Sequence, residues 1–382
     1  MNILLPLIFI LIGAKIGGFV AEKLKQPAVL GELLTGVVIG PVLGIISTDE
    51  LISAMGKLGI VILMFLAGMH IDLERFKKLL ESGSVVALCG VAVPFTLGVL
   101  LGLYMGWDLY QSLFLGGILT PTSVSITTRT LAEMKKLRTK AGVIILDAAV
   151  VDDILGILIL TVLLATVKPG FNFFNFIIVF LEIVAFFFIV IKFGKKLVPN
   201  FLKFGRYLDF RVKEGLFSLV LALIFFFSLV ANSIGLSLIT GAFLLGLITP
   251  RNRLGRVEHE LYALGYGFLI PIFFVYAGTL IDISVILPFL PLILLILFVA
   301  FLSKIAGCFV GSLPYTRSIK ESLIIGIGMV PRLEVAIVIA EIGRNSGFIS
   351  GTNFSIITTV LALTVFITPL FLKALMRWKI RS

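Results

Sequence analysis

The sequence predicts an all-α polytopic membrane protein of about 13 transmembrane helices, with spans 1–6 and 8–13 forming an inverted repeat around a linker span 7 and two crossed discontinuous helices. Three observations predict it. Hydrophobic residues make up 59% of the 382 positions, charged residues only 14%, and mean hydropathy is +1.17; such a chain is solvated by lipid rather than water. Apolar runs of about 20 residues, each able to cross ~30 Å of hydrocarbon as a helix, recur from end to end. Lysines and arginines gather in alternate loops between those runs.

The runs extend over residues 2–22, 28–44, 51–70, 83–105, 109–130, 139–166, 171–193, 212–231, 236–250, 259–280, 284–312, 318–342 and 353–376. They are continuous rather than alternating, which excludes a β-barrel, and a spanning backbone must satisfy its own hydrogen bonds as helix or closed barrel. The first run has no basic segment before it and holds Lys15, so it reads as a retained helix and not as a cleaved signal. Cys89 and Cys308 both fall inside apolar runs and read as small packing residues.

The net charge of +11 does not point to nucleic acid, because the basic residues form no soluble patch. Loops after the odd-numbered spans and the span ends that flank them, with the C-terminal tail, hold 26 of the 32 lysines and arginines, whereas the opposite loops hold Lys168 and Arg344. By the positive-inside rule the N-terminus then faces outward and the C-terminus the cytoplasm. The stretch 194–211 alternates basic with aromatic residues and reads as a loop resting on the anionic inner leaflet.

Seven spans separate each member of 1–6 from its counterpart in 8–13, so the two sets run in opposite directions and the seventh is a linker. The fifth and twelfth spans correspond, and each is interrupted near its middle: Leu119-Thr120-Pro121-Thr122-Ser123 in one, and Gly326 to Arg332 around Pro331 in the other. Proline removes a backbone donor and clashes with the preceding turn, so both helices are expected to break there. Paired interruptions of this kind mark binding sites in secondary transporters.

Ionisable groups at the bilayer centre are expensive and need a partner, a water-filled cavity or a function. Lys15, Glu32, Lys57 and Glu341 lie near span ends and are read as snorkelling. Asp147 lies nearer the cytoplasmic entrance. Asp152 and Asp153 lie ~20 Å along the sixth span, beyond the reach of snorkelling. Neighbouring helical positions diverge by ~100°, so one carboxylate can pair with a cation while the other lines a cavity. Lys304 in the eleventh span is close to the same depth, and Arg332 and Glu334 sit at the twelfth-span break.

Carbonyl ends of half-helices carry partial negative charge and amide ends partial positive charge, so Lys304, Arg332 and Glu334 are read as compensating the crossing. A desolvated aspartate beside a lysine holds the lysine, a proton or a metal cation, and not comfortably two of them. This competition predicts antiport, with the Thr122 and Ser123 hydroxyls and freed carbonyls completing an oxygen site for Na+ at Asp152 and Asp153.

Within residues 120–160, PTSVSITTRTLAEMKKLRTKAGVIILDAAVVDDILG resembles the cation:proton antiporter-2 family, and its NapA-type sodium/proton antiporters in particular. The likeness continues in MFLAGMHIDLERF at 64–76, PIFFVYAGTLIDI at 271–283, the Lys304 helix and MVPRLEVAIVIAEIG at 329–343. The resemblance implies a homodimer with scaffold parts at 1–82 and 212–283, moving core parts at 83–166 and 284–382, and a linker helix and loop at 167–211. It implies Asp153 as the main cation and proton carboxylate, Asp152 as partner of Lys304, and charge-moving exchange of Na+ or Li+ for H+ with no cofactor.

A potassium/proton exchanger of the same fold is the nearest rival. An intramembrane aspartyl hydrolase needs two facing carboxylates, which adjacent positions on one helix do not provide. A sodium-coupled solute symporter needs a larger polar pocket and fewer central charges. Glu182, midway along the linker helix, receives no role.

Overall fold

In the computed structural model, which describes residues 4–46, 50–167, 173–209 and 213–377, helix occupies every apolar run, in several cases as two or more pieces. Among the described residues, seven helices are long and apolar enough to cross a membrane. By spatial clustering the chain divides into two units. One comprises Met1–Glu50, Lys78–Phe171 and Phe274–Ser382, and the other Leu51–Lys77 and Asn172–Phe273.

In the first unit, α1 (Leu4–Lys23) packs along α2 (Ala28–Val37) through Gly17 and Gly31. A Cβ on either glycine would collide with the backbone of the other, so the helices meet main chain to main chain, the contact small residues permit in lipid. α3 (Glu50–Met69), which belongs almost wholly to the second unit, is followed by α4 (Leu73–Tyr104), which enters the first unit at Lys78 and begins ten residues before the apolar run at 83–105 because the amphipathic stretch LERFKKLLES continues the same helix.

The fifth run holds two helices, α5 (Leu109–Ile118) and α6 (Val124–Glu133), and α7 (Lys140–Val167) follows unbroken. Asp108 caps α5 by accepting from the Gln111 amide at 2.9 Å.

The second unit contains α8 (Phe173–Ile189), α9 (Lys195–Asp209), α10 (Gly215–Ser233), α11 (Leu238–Ile248) and α12 (Arg256–Leu264). The stretch expected as a loop at 194–211 is therefore corrected to helix α9. Val198 and Leu202 are buried four residues apart, and Gly205 admits Leu216 and Leu219 of α10, so one face docks while Lys195, Lys196 and Phe204 remain exposed.

The first unit resumes within α13 (Ile270–Thr279) and continues through α14 (Ile283–Ile286) and α15 (Leu290–Thr316). The twelfth run again holds two helices, α16 (Ile319–Gly328) and α17 (Glu334–Asn345), before α18 (Gly351–Arg377). Phe114, Leu163, Ile296, Ile339, Ile356 and Val360 form an apolar core among α5, α7, α15, α17 and α18. That core fixes both interrupted helices against α7 and α15, which carry the central charges.

Lys15, Lys57 and Glu341 are exposed, as expected of side chains that can reach an interface. Glu32 is not: it is 2% exposed and pairs with Arg129 at 3.3 Å, so the snorkelling reading fails for this residue. Arg129, at the edge of the fifth run, is expected among the basic residues of the cytoplasmic side. It is buried on α6 and also bonds Glu133 at 2.6 Å, one turn along the same helix.

Candidate ion site

Each interrupted helix has a first half of ten residues, and each break is five residues long, 119–123 and 329–333. The breaks touch. The Ser123 amide donates to Pro331 O at 2.7 Å, the Thr122 hydroxyl to Met329 O at 3.1 Å, and the Thr127 hydroxyl to Gly328 O at 2.6 Å. Pro121 and Pro331 lack amide donors, so nearby carbonyls that would have closed helical turns are left for partners outside their own helix.

Those partners are largely cationic at the first break. Lys304 Nζ, fully buried on α15, donates to Thr120 O at 2.6 Å and to Asp152 Oδ1 at 2.9 Å. Arg332, also fully buried, donates from Nε to Leu119 O at 2.8 Å, from Nη1 to Val330 O at 2.7 Å and from Nη2 to Ala300 O at 3.1 Å. One guanidinium thus spans the carbonyl ends of both half-helices and an α15 carbonyl. Only the planar fork of arginine presents that many donors in fixed directions. The Arg332 amide donates to the hydroxyl of Thr364 on α18 at 3.1 Å.

Asp152 uses both oxygens. Oδ1 meets Lys304, and Oδ2 accepts from the Thr122 backbone amide at 2.7 Å. Its 0% exposure means that the ammonium and the amide replace its water. Asp153, the next residue, is 7% exposed. Three residues on, Gly156 lies against Pro121 of the first break and Val335 in the first turn of α17.

Of the expected residues, Asp152, Lys304, Thr122 and Arg332 meet at the breaks, with two refinements. Thr122 holds Asp152 through its backbone amide rather than its hydroxyl, and the Ser123 hydroxyl lies 3.0 Å from that of Ser125. Glu334 opens α17, but its side chain lies outside the described residues. Thr127, Thr364 and the Leu119, Thr120 and Ala300 carbonyls take part unforeseen. For the hydroxyls, the only sequence signal was a threonine-rich run beside a proline break. For the carbonyls there was none, since every residue carries one.

Chemically, the site can hold positive charge at an acid in more than one form. Lys304 neutralises Asp152, and displacing that ammonium leaves a carboxylate, a freed Thr120 carbonyl and nearby hydroxyls, the oxygen environment a hard cation requires. Buried acids and bases at the junction of broken helices, in a chain of membrane-length helices, define the class of secondary ion transporters.

The comparisons with known proteins narrow that class. The model of the sodium/hydrogen exchanger transmembrane family matches residues 7–378. The chain is 38% identical to the Na+/H+-K+ antiporter GerN of Bacillus cereus, over 95% of this chain and 94% of that protein. It is 35% identical to a Na+/H+ antiporter of Enterococcus hirae, over 96% of each. Its fold is similar to that of the sodium proton antiporter MjNhaP1 of Methanocaldococcus jannaschii, with a TM-score of 0.70, 20% identity and coverage of 98% of this chain and 96% of the other. The chain belongs to the sodium/hydrogen exchanger family, as an integral multi-pass membrane protein that exchanges cations for protons as a secondary transporter and not as an enzyme.

Proposed function

We propose that this antiporter exchanges Na+ or Li+ for H+ and moves net charge, with Asp153 as the principal carboxylate that cation and proton occupy in turn. The observation that carries this reading is the Asp152–Lys304 pair at the contact of the two breaks, 2.9 Å long and fully buried, with Asp153 beside it. Sodium binds oxygen ligands only when the carboxylates are deprotonated, and a proton returns only when sodium has left. If Asp152 is freed for sodium, Lys304 must release it and its own charge must change or move. Net charge then crosses the membrane with each cycle.

Asp153, Asp152, the lone pairs of the Thr122 and Ser123 hydroxyls and the Thr120 carbonyl form the cation site. Arg332 and Glu334 compensate the crossing and stay in place. The equal first halves and equal breaks support an inverted repeat of spans 1–6 and 8–13 in a thirteen-span topology. In this reading 83–166 and 284–382 form the moving core, while 1–82 and 212–283 form a scaffold that dimerises with a second copy. The N-terminus faces out and the C-terminus the cytoplasm of the cell membrane, where lipids surround the chain and exchange sustains pH and sodium homeostasis.

Potassium is kept as a second reading because the 38% identical relative is a Na+/H+-K+ antiporter. Purified protein in liposomes separates the two. Sodium or lithium added to acid-loaded vesicles should relieve the quenching of a pH-sensitive dye, potassium should not, and Asp153→Ala should abolish the response. An equal potassium response selects the rival, and solute uptake without proton movement overturns antiport.

A further inference from the structure

Asp147 lies on α7 five residues before Asp152, ~7.5 Å nearer the Lys140 end of the helix and about 140° around its axis. It is fully buried, and neither carboxylate oxygen has a hydrogen-bond partner among the described residues. Gly83 of α4 packs on it so closely that a Cβ at Gly83 would come within 2.6 Å of the Asp147 Cβ. The absence of a side chain at that position is what brings α4 backbone to backbone with α7.

Charged groups on the elements packed in this region have other partners or lie at an interface. Lys304 bonds Asp152 and Thr120 O, Lys140 donates to Tyr315 O at 2.8 Å, and Arg129 pairs with Glu32 and Glu133. Glu81 accepts from the Tyr315 hydroxyl, while Lys320 and Glu321 lie partly exposed in the first turn of α16. Cys89 and Cys308 are free thiols.

A fully buried carboxylate with neither a protein donor nor a cationic side chain beside it is a costly form of that group, so its charge is best cancelled by an ion from outside the protein. A metal cation would need several further oxygens, and no described side-chain oxygen bonds with Asp147. A proton needs only the carboxyl itself.

We propose that Asp147 is a third proton site, one that takes a proton and never the transported cation, and that the close α4–α7 packing forms only with that proton aboard. The inference deepens the antiport reading, on which it rests for its setting. When the packing opens, the carboxyl O–H bond breaks to an entering water, leaving carboxylate and hydronium; closing reverses the step. Acid pH therefore favours the packed arrangement, and alkaline pH opens it.

Infrared difference spectroscopy of the full chain in lipid tests this. A carbonyl band of a protonated, buried carboxyl should persist when sodium is added, remain in Asp153→Asn and vanish in Asp147→Asn. Raising pH should remove the band together with amide protection around Gly83. A band displaced by sodium, absent in Asp153→Asn or retained in Asp147→Asn overturns the proposal. If Asp147→Asn does not fold, Asp147→Glu keeps the acid and must shift the band frequency, and an unshifted band overturns the assignment. Failure of the antiport reading is distinct: it would appear as no sodium- or potassium-driven proton movement in the wild-type protein, with the Asp147 band unchanged.

Discussion

The two interrupted helices break alike in the backbone and are stabilised by different chemistry. At the first break, Thr120 O meets the Lys304 ammonium, and the Thr122 amide meets the Asp152 carboxylate. At the second, Gly328, Met329 and Pro331 carbonyls accept from the neutral Thr127 and Thr122 hydroxyls and the Ser123 amide, and Val330 O accepts from Arg332. Lysine and aspartate can exchange protons at transport pH, whereas hydroxyls, amides and arginine keep theirs. In the proposed cycle the first break is the exchangeable one and the second its fixed counterpart, tied to it by Arg332 through Leu119 O.

The largest effect should come from that tie. Arg332→Ala removes three donors from buried carbonyls at once, and each unsatisfied group costs ~1–3 kcal/mol. We expect a loss of about 3 kcal/mol or more in stability, read as a lowered midpoint of thermal unfolding in detergent, together with loss of exchange. Arg332→Lys should fall between, because one ammonium cannot reach all three carbonyls. A wild-type midpoint in Arg332→Ala would mean that the second break does not depend on its arginine, and the contrast between the breaks would fail.

Next in size is Lys304→Ala, which strips the first break of its exchangeable base. Asp152 then keeps only the Thr122 amide and can accept a proton instead, so the fold should survive better than in Arg332→Ala. The exchange should slow or become electroneutral. Proton flux measured in liposomes under an imposed membrane potential reads this directly. Potential dependence equal to that of the wild type would argue that the Asp152–Lys304 pair takes no part in charge movement.

How much of this was legible follows from what each signal needs. The breaks could be read because proline and glycine act locally, and the central charges stood out because lipid makes them expensive wherever they point. Similar depth and opposite sign called for a carboxylate beside Lys304, and the family resemblance implied that Asp152 is the one. Arg129 was misplaced because it lies at a run edge, where a buried arginine and a loop arginine look the same; only the three-dimensional approach of α2 brings Glu32 to it. Helix α9 was missed because its basic residues lowered the hydropathy while an apolar stripe still repeated along one face. Carbonyl acceptors such as Leu119 O and Ala300 O have no residue signature at all.

The smallest prediction isolates one neutral contact of the fixed break. Thr127 lies on α6, and its hydroxyl donates to Gly328 O at 2.6 Å, closing the carbonyl end of α16. Thr127→Val keeps shape and volume but leaves that carbonyl without its hydroxyl donor, so stability should fall by about 1 kcal/mol. Because no exchangeable proton or cation ligand is lost, the sodium concentration for half-maximal exchange and the response to membrane potential should both stay at wild-type values. Thr127→Ser, which retains the hydroxyl, should recover most of the unfolding midpoint. A shift in sodium dependence in the valine variant, restored in the serine variant, would place Thr127 at the cation and dissolve the division between an exchangeable break and a fixed one.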